Sequence, residues 1–323
     1  MKALVTGGLG FIGHNLVKAL LDNNWTQWQI IVIDSNVQNK YWDNIEYKIF
    51  KLEQNVEDIT ETVIDKAVQE FKPDVIFHLA AIPRVAYSVE HPYETTQDNI
   101  LSTLAVLDAV RKYSPTTRIV YTSSSSVYGG ATILPTPVTC PANPQSPYAM
   151  QKWQGEEWCR LYSKLYKLDT VCLRYFNVIG RYSRYGGAYS TVLSAWLYSL
   201  YIDSSVKPFL EGDGSVTRDF CSVDNVTQAN ILAALYNKCH FQGEAFNVSQ
   251  GKSYSLLQCK ELLEKISGKK LDLEYRLPRK GDVQNTLGDI SLTKSILEYH
   301  PDIDFEEQVK VMATWYKNDY NAQ

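Results

Sequence analysis

The chain has 323 residues, of which 45% are hydrophobic and 21% charged, and its formal net charge is −4. A chain of this length can bury one large core or two of unequal size. The slight acidic excess, without any basic run, argues against nucleic-acid binding. No apolar stretch approaches the roughly 18 residues of a membrane span. The first residues, MKALVTGG, run directly into a strand-like segment without a signal-peptide pattern. We therefore expect a cytoplasmic protein with no membrane partner.

Six cysteines are spread along the chain, with no C-x-x-C pair and no histidine cluster nearby. This spacing predicts free thiols in a reducing compartment, and neither disulfides nor a metal site.

In the first half of the chain, short apolar runs alternate with helical patterns. Strands are predicted at 2–7, 29–35, 74–80, 117–124 and 169–177, and helices at 11–22, 58–71, 94–113 and 147–167. The strands are continuously apolar, which is typical of parallel strands covered by helices on both faces. The predicted fold class is therefore α/β, a doubly wound parallel sheet of the Rossmann type.

Beyond about residue 177 the alternation loosens. Helices are predicted near 189–202, 223–237 and 255–267, strands at 208–214 and 244–251, and a strand, a loop and one or two helices over 271–323. No linker separates the halves, so we expect a smaller, interleaved C-terminal substrate domain. The predicted division is a cofactor domain of 1–176 plus about 220–248 and a substrate domain of 177–219 and 249–323. Ligands of such sheets bind beyond the carboxyl ends of the strands.

The segment VTGGLGFIG has the glycine pattern of a dinucleotide-binding turn. Gly7, Gly10 and Gly13 lie between the first predicted strand and the first predicted helix, and Asp34 ends the second strand 21 residues after Gly13. The glycines allow a tight turn whose backbone approaches a pyrophosphate at the helix N-terminus. Asp34 can accept hydrogen bonds from the ribose hydroxyls and would repel a 2′-phosphate, and no arginine follows it. NAD is therefore predicted in preference to NADP.

The segment YAMQK places Tyr148 and Lys152 on one helix face. Only about 0.1% of a free tyrosine is phenolate at pH 7, because its pKa is about 10. A lysine ammonium one turn away and the positive ring of NAD⁺ would favour the phenolate. The spacing therefore predicts a tyrosine base assisted by a lysine.

Further motifs follow in a fixed order: HLAA (78–81), SSSSVYG (123–129), RYFNVIG (174–180), GDGSVTRDFCSVDNV (212–226) and RKGDVQNTLGDIS (279–291). Together with TGGLGFIG and YAMQK, they resemble the extended short-chain dehydrogenase/reductases. Within that family they are similar to the nucleotide-sugar epimerases that act on UDP-glucose and UDP-N-acetylglucosamine, over nearly the whole chain. A departure is Ser102, where the family usually has glycine.

The resemblance, together with the glycine turn, implies the following site residues. Ser124, Tyr148 and Lys152 are the predicted catalytic residues. The predicted cofactor contacts are Gly7, Gly10, Phe11, Ile12, Gly13, Asp34, Asn36, Asp58, Ile59, Leu79, Ala80, Ala81, Asn99, Tyr148, Lys152 and Phe176. The predicted UDP-sugar contacts are Ser124, Tyr148, Asn177, Val192, Arg218, Arg279, Asp282 and Thr286. The arginines suit a diphosphate because a guanidinium can pair bidentately with phosphate oxygens.

The serine run indicates which reaction of the family this chain performs. By the resemblance, Ser124 assists Tyr148 at the sugar 4-hydroxyl, while Ser125 and Ser126 occupy positions where the dehydratases carry an aspartate and a glutamate. Elimination needs an acid and a base beyond the hydride transfer, and neither is present here. The sequence therefore predicts reversible C4 epimerisation through a 4-keto sugar. A reductase or dehydrogenase of the same family and a non-catalytic NAD-binding regulatory protein remain as alternatives.

The residue seven positions after Arg279 bears on the sugar. It is Thr286, and in epimerases of this type the equivalent residue borders the sugar 2-position. A small residue leaves room for an N-acetyl group, so UDP-GlcNAc/UDP-GalNAc is the predicted pair, with UDP-Glc/UDP-Gal as a second. A reading in which Thr286 has no influence on selectivity stays open. The helices at 94–113 and 147–167 resemble those that form a four-helix interface in the family, so a homodimer is expected.

Overall fold

The protein is built around a parallel sheet, which we describe from a computed structural model covering residues 1–22, 26–35, 48–51, 61–187, 189–277 and 283–320. Within these residues the strands are β1 (Lys2–Thr6), β2 (Gln29–Asp34), β3 (Lys48–Lys51), β4 (Val75–His78), β5 (Arg118–Ser124), β6 (Asp169–Tyr175), β7 (Val178–Ile179), β8 (Phe209–Glu211), β9 (Thr217–Asp219), β10 (Cys221–Ser222), β11 (Gln242–Val248), β12 (Ser253–Ser255) and β13 (Glu274–Arg276). The helices are α1 (Phe11–Leu21), α2 (Glu61–Phe71), α3 (Val85–Glu90), α4 (Pro92–Thr96), α5 (Ser102–Tyr113), α6 (Pro147–Tyr166), α7 (Val192–Tyr201), α8 (Val223–Leu235), α9 (Leu256–Ser267), α10 (Ser291–Leu297) and α11 (Phe305–Asn318).

The order of the strands fixes where a ligand can bind. The main sheet runs β11-β6-β5-β4-β1-β2-β3, and every pair in it is parallel. From β1 the chain proceeds outward through β2 and β3, and from β4 it proceeds outward in the opposite direction. A crevice therefore lies at the carboxyl ends of β1 and β4, the usual ligand site of a doubly wound sheet. The predicted fold class is confirmed.

Apolar side chains cover both faces of this sheet. One cluster joins it to α1 and α8, with Leu16 and Val226 among its members. The other joins it to α2, α5 and α6, through residues such as Val68 and Val106. β6 is buried along its full length, which explains why its central residues 171–173, VCL, are continuously apolar rather than alternating.

A third apolar cluster lies in the C-terminal half, where it packs α7, α9 and α11 together around Trp196, Leu263 and Trp315. Short strand pairs flank it: β12 with β9, and β13 with β8. The predicted helices of this half are present, and the final segment contains two of them. The exact domain boundaries stay a prediction.

The short elements α3, β7, β9, β10 and β12 were not predicted, and two larger features also differ from the prediction. β3 was not predicted, and it adds an edge strand beside β2. The helix predicted over 94–113 is not uniform, because a π-helical turn at Gln97–Leu101 separates α4 from α5. Such turns frequently occur at functional sites. This one contains Asn99 and directly precedes Ser102, which is buried and donates its hydroxyl to the carbonyl of Asp98.

Candidate active site

The glycine turn is shaped for close backbone contact. Gly7 has φ +71°, and a Cβ there would lie 2.7 Å from the amide nitrogen of Ala80. A Cβ on Gly13 would lie 2.1 Å from the carbonyl oxygen of Gly7. α1 begins at Phe11, which is followed by Ile12, and its N-cap residue, Gly10, has no side chain to cap the helix. The N-terminus of this helix therefore presents backbone amides of the kind that bind a pyrophosphate.

Asp34 adjoins this turn at the end of β2. It is buried, and its Oδ2 accepts a hydrogen bond of 2.8 Å from the backbone nitrogen of Leu9. A carboxylate at the end of β2, beside this glycine turn, fits the dinucleotide expected from the sequence. Of the other predicted cofactor contacts, Asn36, Asp58 and Ile59 lie outside the described residues.

The opposite wall of the crevice follows β4. Leu79 and Ala80 donate their backbone N–H groups to the carbonyl and hydroxyl oxygens of Thr6, at 3.1 and 3.3 Å. Leu79, Ala80 and Ala81 are half-buried, and their contact with a cofactor stays a prediction.

Both ends of the Asn99 side-chain amide form hydrogen bonds to other residues of the protein. Its Oδ1 accepts from Ile82 N at 2.7 Å and its Nδ2 donates to Gln151 Oε1 at 2.7 Å. Asn99 therefore holds the loop after β4 against α6, and its predicted contact with the cofactor stays a prediction.

The three predicted catalytic residues meet at the carboxyl end of β5. Tyr148 lies in the first turn of α6, its backbone nitrogen donates to Ser88 Oγ at 3.1 Å, and Ser146 caps the helix through Ala149 N. The hydroxyl of Ser124 is hydrogen-bonded to the Tyr148 side chain. Lys152 Nζ donates to the carbonyl oxygen of Thr122 at 2.8 Å and lies 6.0 Å from the centre of the Tyr148 ring.

Burial shifts the pKa values of Tyr148 and Lys152 in opposite directions. It raises the pKa of Tyr148 to about 12, although the hydrogen bond from Ser124 acts in the opposite direction. It also lowers the pKa of Lys152 to about 7. To ionise near pH 7, Tyr148 would need about 7 kcal/mol of additional preference for the phenolate. A positive charge in the crevice would act in that direction.

The predicted sugar-nucleotide contacts converge beside β6. Phe176, a predicted cofactor contact, is buried just after the strand. Asn177 Nδ2 donates to the carbonyl of Asp219 at 3.0 Å and to Thr286 Oγ1 at 3.1 Å. Arg218 Nη1 donates to the carbonyl of Gln284 at 3.2 Å, and Val192 begins α7, half-buried. Arg279 and Asp282 lie outside the described residues.

Sequence reasoning missed the residue that organises these segments. Asp219 is fully buried, and its carboxylate accepts from the backbone nitrogens of Gln250, Gly251 and Gly288 at 2.9, 3.1 and 3.0 Å. Burial raises its pKa to about 6, and those amides oppose the rise. Its signal in the sequence was an acidic residue directly after Arg218 in a strand, where a carboxylate needs internal partners.

The turn after β5 carries no acid. Ser125–Tyr128 form a 3₁₀ turn that begins where Ser126 N donates to Ser124 Oγ at 3.2 Å.

Among the described residues, no group of three His, Cys, Asp or Glu side chains could hold a metal ion. None of the helices in that part of the chain is long and apolar enough to cross a membrane.

Comparison with known proteins agrees with this geometry. The model of the NAD dependent epimerase/dehydratase family matches residues 3–249. The chain belongs to this family. Its NAD dependence confirms the cofactor predicted from the glycine turn and Asp34, and the recognition of an extended short-chain dehydrogenase/reductase is confirmed as well.

Relatives within the epimerase/dehydratase family cover almost the whole chain. A UDP-glucose 4-epimerase of Mycolicibacterium smegmatis is 32% identical over 322 residues, which is 98% of this chain and 99% of the relative. The structure of the UDP-glucose 4-epimerase of Thermotoga maritima with UDP-glucose has a TM-score of 0.87 and 30% identity, with 98% and 99% covered. The UDP-N-acetylglucosamine 4-epimerase of Methanobrevibacter ruminantium M1, in complex with UDP-N-acetylmuramic acid, has a TM-score of 0.86 and 31% identity, with 98% and 97% covered.

Proposed function

We propose that the protein is an NAD-dependent UDP-hexose 4-epimerase. The observation that carries the proposal is the meeting of Ser124, Tyr148 and Lys152 at the edge of the crevice, beside a serine turn without carboxylates. The 4-epimerases among its relatives support the reaction class.

The geometry assigns a task to each side chain. Tyr148 accepts the proton of the sugar 4-hydroxyl and later returns it to the 4-keto oxygen. Ser124, which is hydrogen-bonded to Tyr148, steadies that proton, and Lys152 supplies positive charge near the ring. NAD, when bound by the glycine turn and Asp34, supplies the hydride acceptor and the positive ring that favours the phenolate. Ser125 and Ser126 offer no acid or base for elimination, so the reaction ends at the C4 epimer.

Two observations support N-acetylated sugars as the preferred substrates. Thr286 is small and half-buried, and its hydroxyl is directed to Asn177 and to the backbone of Asp219, at 3.1 and 3.0 Å. An acetamido group would find room at such a position, where an aromatic ring would exclude it. We therefore propose UDP-GlcNAc/UDP-GalNAc as the main pair, with UDP-Glc/UDP-Gal as a second.

We also propose a homodimer through the α4–α6 face. Large apolar side chains are exposed there, including Leu101 at 54%, Leu161 at 40% and Leu165 at 57%. Residues 161 and 165 are one turn apart on α6, so they form a continuous apolar stripe. A surface of this kind is typical of a protein–protein contact.

The reaction is tested by incubating the purified protein, without added NAD, separately with UDP-GlcNAc, UDP-Glc and UDP-glucuronic acid, and separating the UDP-sugars by chromatography. We expect the C4 epimer of UDP-GlcNAc to form fastest. Tyr148→Phe should abolish turnover while the protein still retains its NAD, because the phenyl ring fills the same space without a proton-accepting oxygen.

Other outcomes have defined meanings. If none of the sugars yields an epimer and NADH accumulates, a reductase or dehydrogenase function replaces the proposal. If the protein binds NAD and transforms no UDP-sugar, the non-catalytic alternative replaces it. Fast conversion of only the non-acetylated sugars would contradict the proposed substrate preference and leave the reaction class intact.

A further inference from the structure

A buried carboxylate lies behind the candidate active site. Glu156 on α6 is fully buried, and its Oε1 accepts from Ser123 Oγ at 2.5 Å and from Arg174 Nε at 2.8 Å. Its Oε2 accepts from Arg174 Nη2 at 2.7 Å and from Arg160 Nη2 at 2.8 Å. Burial by itself would raise the pKa of Glu156, but Arg174 and Ser123 outweigh it and hold the pKa below its ordinary value. The carboxylate is therefore ionised and fully paired.

Its partners belong to the elements that carry the catalytic residues. Glu156 follows Lys152 by four residues and Tyr148 by eight, so all three lie on one face of α6. Ser123 directly precedes Ser124 on β5, and Arg174 on β6 lies two residues before Phe176. A single carboxylate thus joins α6 to both strands at the level of the site.

A second series of hydrogen bonds leads from Arg174 towards the proposed sugar pocket. Arg174 Nη1 donates to the hydroxyl of Tyr128 at 2.9 Å, and that hydroxyl donates to Asn247 Oδ1 at 2.6 Å. Asn247 Nδ2 in turn donates to the carbonyl of Asp289 at 3.0 Å. Asp289 lies three residues after Thr286, so the chain of hydrogen bonds extends from the catalytic helix to the segment that borders the substrate.

Stability alone does not account for such a pair. A buried ion pair contributes little net stability compared with apolar side chains of the same volume, because both charges are removed from water. Its bidentate geometry does fix the relative position of the elements it joins. We propose that Glu156 and Arg174 are positioning residues that set Tyr148 and Lys152 against Ser124 for proton transfer, an inference that rests on the proposed epimerase function.

The ionisable groups around Glu156 are Arg160 on its own helix, Arg174 and Cys172 on β6, Tyr121 on β5 and Tyr128 in the following turn. A variant that changes the charge of this cluster removes a charge together with a hydrogen bond, so it does not separate the effect of charge from the effect of position. A decisive test of positioning therefore leaves every charge in place.

Ser123→Ala meets this condition, and Ser163→Ala is its matched control. Ser163 is also buried and also links α6 to the sheet, through a 2.7 Å contact with Thr170 Oγ1, but it lies outside the Glu156 cluster. We expect Ser123→Ala to lower kcat about tenfold with KM unchanged, because small displacements of a catalytic group reduce its rate strongly. The acidic limb of the kcat–pH profile should also move to higher pH, since Lys152 then stabilises the phenolate less well. Ser163→Ala should change neither quantity.

Glu156→Gln provides a second measurement, with Asp169→Asn as its control. Asp169 holds the buried Arg118 through contacts of 3.0 and 2.7 Å at the opposite ends of β5 and β6. Both variants deprive a buried arginine of its carboxylate and should lower the unfolding midpoint to a similar extent. Only Glu156→Gln should lower kcat, at equal occupancy by NAD.

The outcomes separate this inference from the function on which it rests. If the wild-type protein epimerises no UDP-sugar, the proposed function fails. If it epimerises one, and Ser123→Ala matches Ser163→Ala in kcat and in pH profile, Glu156 and Arg174 have a purely structural role and the inference is overturned.

Discussion

Thr286 is held in place by hydrogen bonds of both its side chain and its backbone. Its hydroxyl accepts hydrogen bonds from Asn177 Nδ2 and from Asp219 N, at 3.1 and 3.0 Å. Its backbone nitrogen donates to the carbonyl of Thr217. The Thr286 side chain is therefore held in a single orientation, and its backbone is held against β9.

We predict that Thr286→Tyr shifts the preference between sugars. The ratio of kcat/KM for UDP-GlcNAc to that for UDP-Glc should fall at least about tenfold, because steric exclusion of a group of a few atoms is worth about 1–3 kcal/mol. Kinetics with both substrates measure the ratio. Thr286→Val is the control for the hydroxyl, since it keeps the volume and should lower both values of kcat/KM to a similar degree. An unchanged ratio in Thr286→Tyr would remove Thr286 from the determinants of selectivity.

At the scale of elements, the helices over 92–166 connect the loop after β4 to the proposed dimer contact. α4, the π-helical turn and α5 form one irregular rod, and Asn99 in the turn ties this rod to the loop after β4 and to Gln151 on α6. The same helices expose the apolar stripe that we propose as the dimer contact. An interface on them would therefore include α6, the helix that carries Tyr148.

We predict that Leu165→Glu weakens dimerisation. A carboxylate in the centre of an apolar contact would have to be buried without a partner, which is strongly unfavourable. Sedimentation at several concentrations should show the variant as a monomer where the wild type is a dimer. Leu292→Glu is the control, since Leu292 is 42% exposed on α10, away from this face. Dimers of equal strength in both variants would contradict the proposed interface.

Elements with a strong local pattern could be predicted from the sequence, and elements determined by their neighbours could not. β1, β2, β4, β5 and β6 were predictable because burial on both faces requires runs of apolar residues. β3 has only two apolar residues in KIFK, and it becomes a strand by pairing with β2. The π-helical turn could not be predicted from the sequence, because its residues fit the period of an ordinary α-helix equally well.

The candidate site divides in the same way. Tyr148 and Lys152 were predictable because their spacing of four is set by a single helix. Glu156 was not, since an acidic residue four positions before Arg160 is indistinguishable from an exposed helical pair until Arg174 and Ser123 are placed against it. Asp219 likewise acquires its three backbone partners from two distant parts of the chain, residues 250–251 and Gly288.

For the molecule as a whole, two buried histidines contribute to the response to acid. His78 lies at the end of β4, with Nδ1 2.7 Å from Thr6 Oγ1 and Nε2 3.0 Å from Thr103 Oγ1. Burial lowers its pKa from 6.5 to about 3, and the charge of Lys152 acts in the same direction. Burial also lowers the pKa of His14, to about 4. Both are therefore neutral in the folded protein at pH values where the unfolded chain is protonated.

We predict that the free energy of unfolding falls as the pH decreases below 6.5. Protons then bind the unfolded chain in preference to the folded one, and His78 alone should account for about 2 kcal/mol at pH 5. Urea unfolding between pH 7 and pH 4.5 measures the slope. His78→Asn should reduce it, because an amide can pair with both threonines without titrating. His300→Gln, at an exposed position, should leave it unchanged, and equal slopes in the two variants would contradict the assignment.

The hydrogen bond between Asp34 and Leu9 has a consequence for redesign. The carboxylate that we predict to select the ribose also braces the glycine turn. An engineer who replaces Asp34 to admit a 2′-phosphorylated cofactor therefore removes a support of the cradle in the same step. A change of coenzyme preference in this scaffold consequently calls for at least two coordinated substitutions, one that accommodates the extra phosphate and one that restores a hydrogen-bond acceptor for the amide of Leu9.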